Sequence, residues 1–188
     1  MGWYTFVDGM TATNLTTSQG ASLTEGHSCP GALQLIVNFT GYGGAHEAGF
    51  TEFYFGFTPN GRDWSAYKNL HAFVKLVADY REIDSVFFYV KSGMQMKYQS
   101  ATATGVSLSN GQWQELVIDL TNVGGPSSGV AANDVQQMGF EVLLKAAAPT
   151  AGPATPTQAF LYADDIYLEA KPPSDGGTSD AASDGASD

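Results

Sequence analysis

Apolar and polar residues alternate with a period of two along much of this chain. Leu70, Ala72, Val74 and Leu76 share one side of a run whose other side is His71, Phe73 and Lys75. The same alternation groups Val86, Phe88 and Val90; Leu116, Ile118 and Leu120; and Phe140, Val142 and Leu144. Successive side chains of an extended strand point to opposite faces, so each run predicts a strand with one buried face. Short apolar runs predict strands near 3–7, 32–40, 50–57, 70–77, 85–91, 95–100, 104–108, 114–120, 138–145 and 159–169. Turn-formers punctuate them: Gly41-Tyr42-Gly43-Gly44, Pro59-Asn60-Gly61, Ser92-Gly93, Asn110-Gly111 and Gly124-Gly125-Pro126. Segments 78–84 and 131–137 each have room for one helical turn. Many short strands between regular turns predict an all-β fold, an antiparallel sandwich (jelly roll) of two sheets.

The chain has 188 residues, enough for one domain with a real core. That domain is expected over residues 1–170. Beyond Pro172-Pro173 only Ser, Asp, Gly, Thr and Ala occur. Residues 171–188 have nothing to bury, so they are expected to be disordered, as an interdomain linker or a solubilising tail.

Charge narrows the partners. The formal net charge is −11, and the body stays acidic without its tail. Phosphate backbones and anionic membrane surfaces would repel it, so a neutral ligand is expected, with no nucleic acid and no membrane. Aromatic residues make up 12% of the chain, which prompts a search for an exposed aromatic platform. A single cysteine, Cys29, excludes an intrachain disulfide and a thiolate zinc site. It reads as a small core residue or a spare thiol. Met1-Gly2 runs directly into the strand-like Trp3-Tyr4-Thr5-Phe6-Val7. A secreted, extracellular protein is expected, with its export signal upstream of this segment.

One carboxylate stands out. Simple alternation in the last strand puts Asp164 on the same face as Phe160, Tyr162, Ile166 and Leu168. A carboxylate among apolar neighbours needs a cation or several hydrogen bonds. Asp8 follows the first strand, and terminal strands are often neighbours in a sandwich. Glu25-Gly26-His27-Ser28 offers further oxygen donors. Asp8, Glu25, Ser28 and Asp164 are therefore expected to hold a structural calcium ion, since hard oxygen ligands suit calcium. The other reading is an aspartate satisfied by backbone amides.

A series of motifs carries a resemblance. In order they are Phe6-Val7-Asp8-Gly9, Gly31-Ala32-Leu33-Gln34-Leu35, Trp64-Ser65-Ala66-Tyr67-Lys68-Asn69-Leu70, Val86-Phe87-Phe88-Tyr89-Val90-Lys91-Ser92-Gly93, Gly111-Gln112-Trp113, Met138-Gly139-Phe140 and Leu161-Tyr162-Ala163-Asp164-Asp165-Ile166. Over roughly residues 3–170 the chain resembles the jelly-roll carbohydrate-binding modules of bacterial glycanases, the β-glucan- and mannan-binding kind. The resemblance implies that the first aspartate of the Asp164-Asp165 pair ligates a structural calcium. It also implies a monomeric, non-catalytic module tethered to a glycoside hydrolase. The tail resembles linkers of large secreted bacterial enzymes. Trp64 departs from the pattern, standing where such modules have a smaller aliphatic residue.

Strands of a jelly roll tend to alternate between its sheets. Strands 50–57, 85–91, 95–100 and 138–145 are therefore expected to share a concave sheet. Phe53, Phe55 and Phe57, with Val86, Phe88 and Val90, would face the core. The opposite set would line a groove for a polysaccharide: Glu52, Tyr54, Phe87, Tyr89, Lys91, Tyr98, Gln99, Glu141 and Lys145. Aromatic faces stack on pyranose C–H faces, and charged or amide groups fix the hydroxyls. The expected ligand is a plant cell-wall β-glycan chain: β-glucan, as in cellulose, or a hemicellulose such as xyloglucan or mannan. Trp113 and Trp3 read as packing residues. Trp64 reads as core or rim, and Tyr42 as loop or rim.

Rival chemistry is thin. His27, His46 and His71 show no ligand spacing, and the phosphate-loop and serine-hydrolase motifs are missing from the sequence. A β-sandwich glycoside hydrolase would need two facing carboxylates, for which Glu52 and Glu141 are the candidates. A protein-interaction module on the same fold is the third reading.

Overall fold

The computed structural model describes residues 3–7, 15–39, 50–57, 60–77, 83–93, 97–104, 111–121, 131–144 and 157–173. Among the described residues, ten strands form two antiparallel sheets. In chain order they are β1 (Trp3–Val7), β2 (Leu15–Ser22), β3 (Ala32–Phe39), β4 (Phe50–Gly56), β5 (Tyr67–Val77), β6 (Ile83–Ser92), β7 (Lys97–Thr104), β8 (Trp113–Asp119), β9 (Val135–Leu144) and β10 (Thr157–Ala170). The first sheet has the order β1-β4-β9-β6-β7, the second β2-β3-β10-β5-β8. Edge strand β1 lies beside β2, and β7 beside β8, at the two edges where the sheets meet. The expected four groove strands do share one sheet, joined at its edge by β1.

The alternation dictates the core. Leu70, Ala72, Val74 and Leu76 of β5 are buried. They meet Phe53, Val86, Phe88, Val90, Phe140 and Val142 from the first sheet in one cluster. Each such side chain, moved fully out of water, contributes roughly 1.5–3 kcal/mol. Trp64 belongs to this core, edge-on to Phe57 at 5.4 Å. Trp3 anchors β1 by stacking on Phe140 at 6.0 Å.

Several expectations change. β2 reads Leu-Thr-Thr-Ser-Gln-Gly-Ala-Ser and carries no apolar stripe, yet it pairs along β3 as an edge strand. Residues 95–100 and 104–108 were expected as two strands; one strand, β7, runs through to Thr104, and 105–110 lie outside the described residues. Within 131–137 the helical turn is a short 3-10 turn at Ala132–Asp134. Cys29 is exposed rather than in the core.

The largest correction concerns β10. Ala159, Leu161 and Ala163 face the core, while Phe160, Tyr162 and Asp164 face outward. A bulge between Asp164 and Tyr167 then adds one residue, with Asp165 at a φ of 45°. An extra residue inverts the side-chain phase. Ile166 and Leu168 consequently pack on the core, and Tyr167 points out. Asp164 is thus half-buried on the outer face rather than lodged among core side chains. The terminal strands are not neighbours either, since β1 and β10 belong to different sheets.

Candidate functional site

Cross-strand pairing arranges the outer face of the first sheet in rows. One row runs Phe6, Glu52, Glu141, Phe87 and Thr102. The next runs Tyr4, Tyr54, Gly139, Tyr89 and Ser100, and a third runs Gly56, Gln137, Lys91 and Tyr98. Directly opposed residues share a face. Of the expected groove residues, Glu52, Tyr54, Phe87, Tyr89, Lys91, Glu141 and position 98 therefore come together on one face. Position 99 pairs with Val90 in the backbone register, and the side chain of Gln99 lies outside the described residues. Lys145 and Tyr42 lie outside the described residues.

Tyr89 requires the main correction. Its side chain is fully buried, at 0% exposure, and offers no open ring to a sugar. The cause is the residue opposite. Gly139 has no side chain, and the Tyr89 hydroxyl sits 2.9 Å from where its Cβ would be. There it accepts a hydrogen bond of 2.8 Å from Gln137 Nε2. The Lys91 ammonium lies over the other side of the ring, 4.7 Å from its centroid, and donates to Glu52 Oε1 at 2.7 Å. Glu52 is on β4 and Lys91 on β6, so this ion pair passes over the intervening strand β9. It also offsets the repulsion between Glu52 and its direct neighbour Glu141. Both members are largely buried, with side-chain exposures of 17% for Lys91 and 11% for Glu52.

The open aromatic surface lies to one side, on β1 and β4. Tyr4 is 51% exposed and Phe6 49%. The Tyr4 ring packs beside Tyr54 at 5.5 Å. In the sequence Tyr4 and Phe6 read as strand residues and carry no site signal of their own. Their alternation in Trp3-Tyr4-Thr5-Phe6-Val7, opposite the anchoring Trp3, was the available signal.

Three of the expected calcium ligands, Glu25, Ser28 and Asp164, sit at the outer face of the second sheet. The loop at 23–31 does reach the last strand. His27 N donates to Asp164 Oδ2 at 2.8 Å, and Asp165 N donates to Asp164 Oδ1 at 2.8 Å. Ser28 Oγ donates to Asp165, and His27 Nδ1 lies 2.8 Å from the same carboxylate. The Ser28 hydrogen bond, and then that of His27, hold the Asp165 carboxyl below the usual aspartate range. Glu25 turns instead to Lys75, at 2.5 Å. Asp164 is thus satisfied by backbone amides, and among the described residues no group of three His, Cys, Asp or Glu side chains is set to hold a metal ion. Asp8 lies outside the described residues. Of the expected ligands, Ser28 turns to Asp165 and Glu25 to Lys75, so neither joins Asp164 among the described residues.

The same face has further stacked groups. His27 covers Phe73 at 3.7 Å, with Trp113 edge-on to His27. His71 stacks on Tyr167 at 4.6 Å, with its ring nitrogens 2.8 Å from Glu115 and 3.2 Å from Glu169. The two histidines are structural groups between strands and loop, not ligands at metal spacing.

No protein-family model matches the sequence, and no curated protein matches it. Solved structures do match. One, reported for the promiscuous specificity of carbohydrate-binding modules of the β-sandwich superfamily, has a TM-score of 0.56 at 14% identity, covering 89% of this chain and 56% of that one. The family 11 carbohydrate-binding module of the cellulosomal cellulase Lic26A-Cel5E of Clostridium thermocellum has a TM-score of 0.54 at 14% identity, covering 91% of this chain and 89% of that one. A family 11 module from Clostridium thermocellum in complex with a β-1,3-1,4-mixed-linked tetrasaccharide has a TM-score of 0.55 at 12% identity, covering 89% and 88%. At these identities the likeness is one of fold: the chain has the β-sandwich of the carbohydrate-binding modules.

Proposed function

We propose that this chain, folded as the carbohydrate-binding modules are, binds a neutral β-linked polysaccharide on the outer face of its first sheet and does not cleave it. The observation that carries the reading is the patch of half-exposed Tyr4 and Phe6 with Tyr54, beside Glu52, Lys91, Glu141 and Gln137. Aromatic rings take the apolar faces of sugar rings, and the adjoining polar groups take hydroxyls. The mixed-linked glucan seen with a module of this fold makes β-glucan the first ligand to test, with xyloglucan and mannan next. Tethering to a secreted glycoside hydrolase through residues 171–188 completes the reading. It is supported by the composition of that segment and by the cellulase origin of a structural neighbour.

The hydrolase reading fares worse. A glycosidase sets one carboxylate on each side of the scissile bond. Here Glu52 and Glu141 stand side by side in one row, and Glu52 is committed to Lys91. Affinity electrophoresis against soluble glycans, with a reducing-sugar assay on the same samples, tests both readings. Retardation without sugar release is expected; release of sugar, or no retardation by any neutral β-glycan, overturns the proposal.

A structural calcium at Asp164 and the 23–31 loop remains part of this reading. It predicts that chelation lowers the melting temperature. An unchanged melting temperature leaves the hydrogen-bonded clamp as the whole device.

A further inference from the structure

The middle of the first sheet's outer face is built in layers. Gly139 leaves space, Tyr89 fills it, Lys91 lies on Tyr89, and Glu52 closes on Lys91. Lysine has a flexible four-carbon stem that loses much rotamer freedom when held. Between them, Lys91 on β6 and Glu52 on β4 must span two strand spacings, about 9–10 Å. A ring face beneath the ammonium and a carboxylate at its end restrict the lysine to one path. The ring is fixed in turn. A Cβ on Gly139 would fall 2.9 Å from the Tyr89 hydroxyl and 2.3 Å from the Phe53 carbonyl oxygen. Gln137 holds the hydroxyl from the side, at 2.8 Å.

We propose that Tyr89 is a positioning residue for polysaccharide binding: its buried ring seats the Lys91 ammonium so that the Lys91–Glu52 pair meets a sugar hydroxyl from a fixed place. The inference rests on the carbohydrate-binding reading above and gives Tyr89 a role without sugar contact. Preorganised polar groups gain affinity because less freedom is lost on binding. Tyr89 thereby acts through Lys91, and its hydroxyl matters less than its ring.

The test has two parts. In the full chain, the Lys91 ε-methylene protons should be shifted upfield by the ring below them. That shift should persist in Tyr89→Phe and vanish in Tyr89→Leu. Calorimetry with soluble mixed-linked β-glucan should then show Tyr89→Phe within about twofold of wild type. Tyr89→Leu and Lys91→Met should each lose about tenfold, as a deleted hot-spot contact does. The double variant should lose no more than Lys91→Met alone, because the two residues act in series. Losses that multiply, full affinity in Tyr89→Leu or in Lys91→Met, or an unshifted Lys91 in wild type overturns the positioning role. If Tyr89→Leu does not fold, the wild-type Lys91 shift and Lys91→Met decide the matter. Wild-type protein that binds no glycan refutes the carbohydrate reading itself, whatever the Lys91 shift.

Discussion

Both sheets lay a lysine against aromatic rings and close it with a glutamate, but the two assemblies draw that glutamate from different places. On the first sheet Lys91 rests on Tyr89 and pairs with Glu52, which belongs to another strand of the same sheet. On the second, Lys75 lies 5.8 Å from the Trp113 ring and 5.6 Å from that of Tyr162, and pairs with Glu25 from the loop before β3. Glu52 has a side-chain exposure of 11%, Glu25 of 37%. A pair held by strands at both ends is desolvated and rigid, and it forms part of a surface. A pair with one end in a loop is a fastener. The same three residue types thus build a floor on one face and hold a loop on the other.

Stability measurements separate the two assemblies most strongly. Glu52→Gln leaves the Lys91 ammonium largely buried without its counter-charge and should cost about 3 kcal/mol by denaturant unfolding. Glu25→Gln should cost less, about 1–2 kcal/mol: Lys75 is as buried as Lys91, at 15% against 17% side-chain exposure, but the carboxylate it loses is better solvated. Equal losses would mean that the two assemblies are the same device.

Binding comes next in size. Tyr4→Ala and Tyr54→Ala should each weaken β-glucan binding by about 1–2 kcal/mol in affinity electrophoresis. Tyr167→Ala, on the opposite sheet, should leave binding unchanged although Tyr167 is 46% exposed. A loss at Tyr167 with none at Tyr4 would exchange the roles of the two faces.

The smallest effect is a pH dependence carried by carboxylates of the second sheet. Asp165 is held below the usual aspartate range by Ser28 and then His27, and Glu169 below the usual glutamate range by Asn69 and then His71. A carboxyl with a lower pKa in the folded state favours folding above its unfolded value, and that contribution is lost as pH falls through the folded one. The melting temperature should therefore drop as the pH is taken below the ordinary carboxylate range. Asp165→Asn should flatten that drop, while Tyr4→Ala should leave it intact.

Much of the fold was legible in the sequence because β5, β6, β8 and β9 each bury one clean face. Leu70 to Leu76 and Val86 to Val90 read directly as core. β2 was illegible because an edge strand with both faces largely polar carries no period-two signal. At β10 the alternation was misleading, since one bulge residue, Asp165, reversed the phase and moved Asp164 outward. The site was read in part for a related reason. Glu52, Tyr54, Phe87, Lys91 and Glu141 follow from strand phase alone. The burial of Tyr89 does not, because it depends on Gly139 across the ladder. A glycine inside a strand pattern marks a close approach by another group, and in Met138-Gly139-Phe140 those groups are the Phe53–Tyr54 backbone and the Tyr89 hydroxyl.

Amide chemical-shift mapping of the full chain, titrated with a soluble mixed-linked glucan oligosaccharide, bears most directly on where ligand is held. Shifts concentrated on β1, β4, β9 and β6, strongest around Tyr4, Tyr54 and Lys91, are the predicted result. Shifts confined to β5, β8 and β10, or none with any neutral β-glycan, would contradict it.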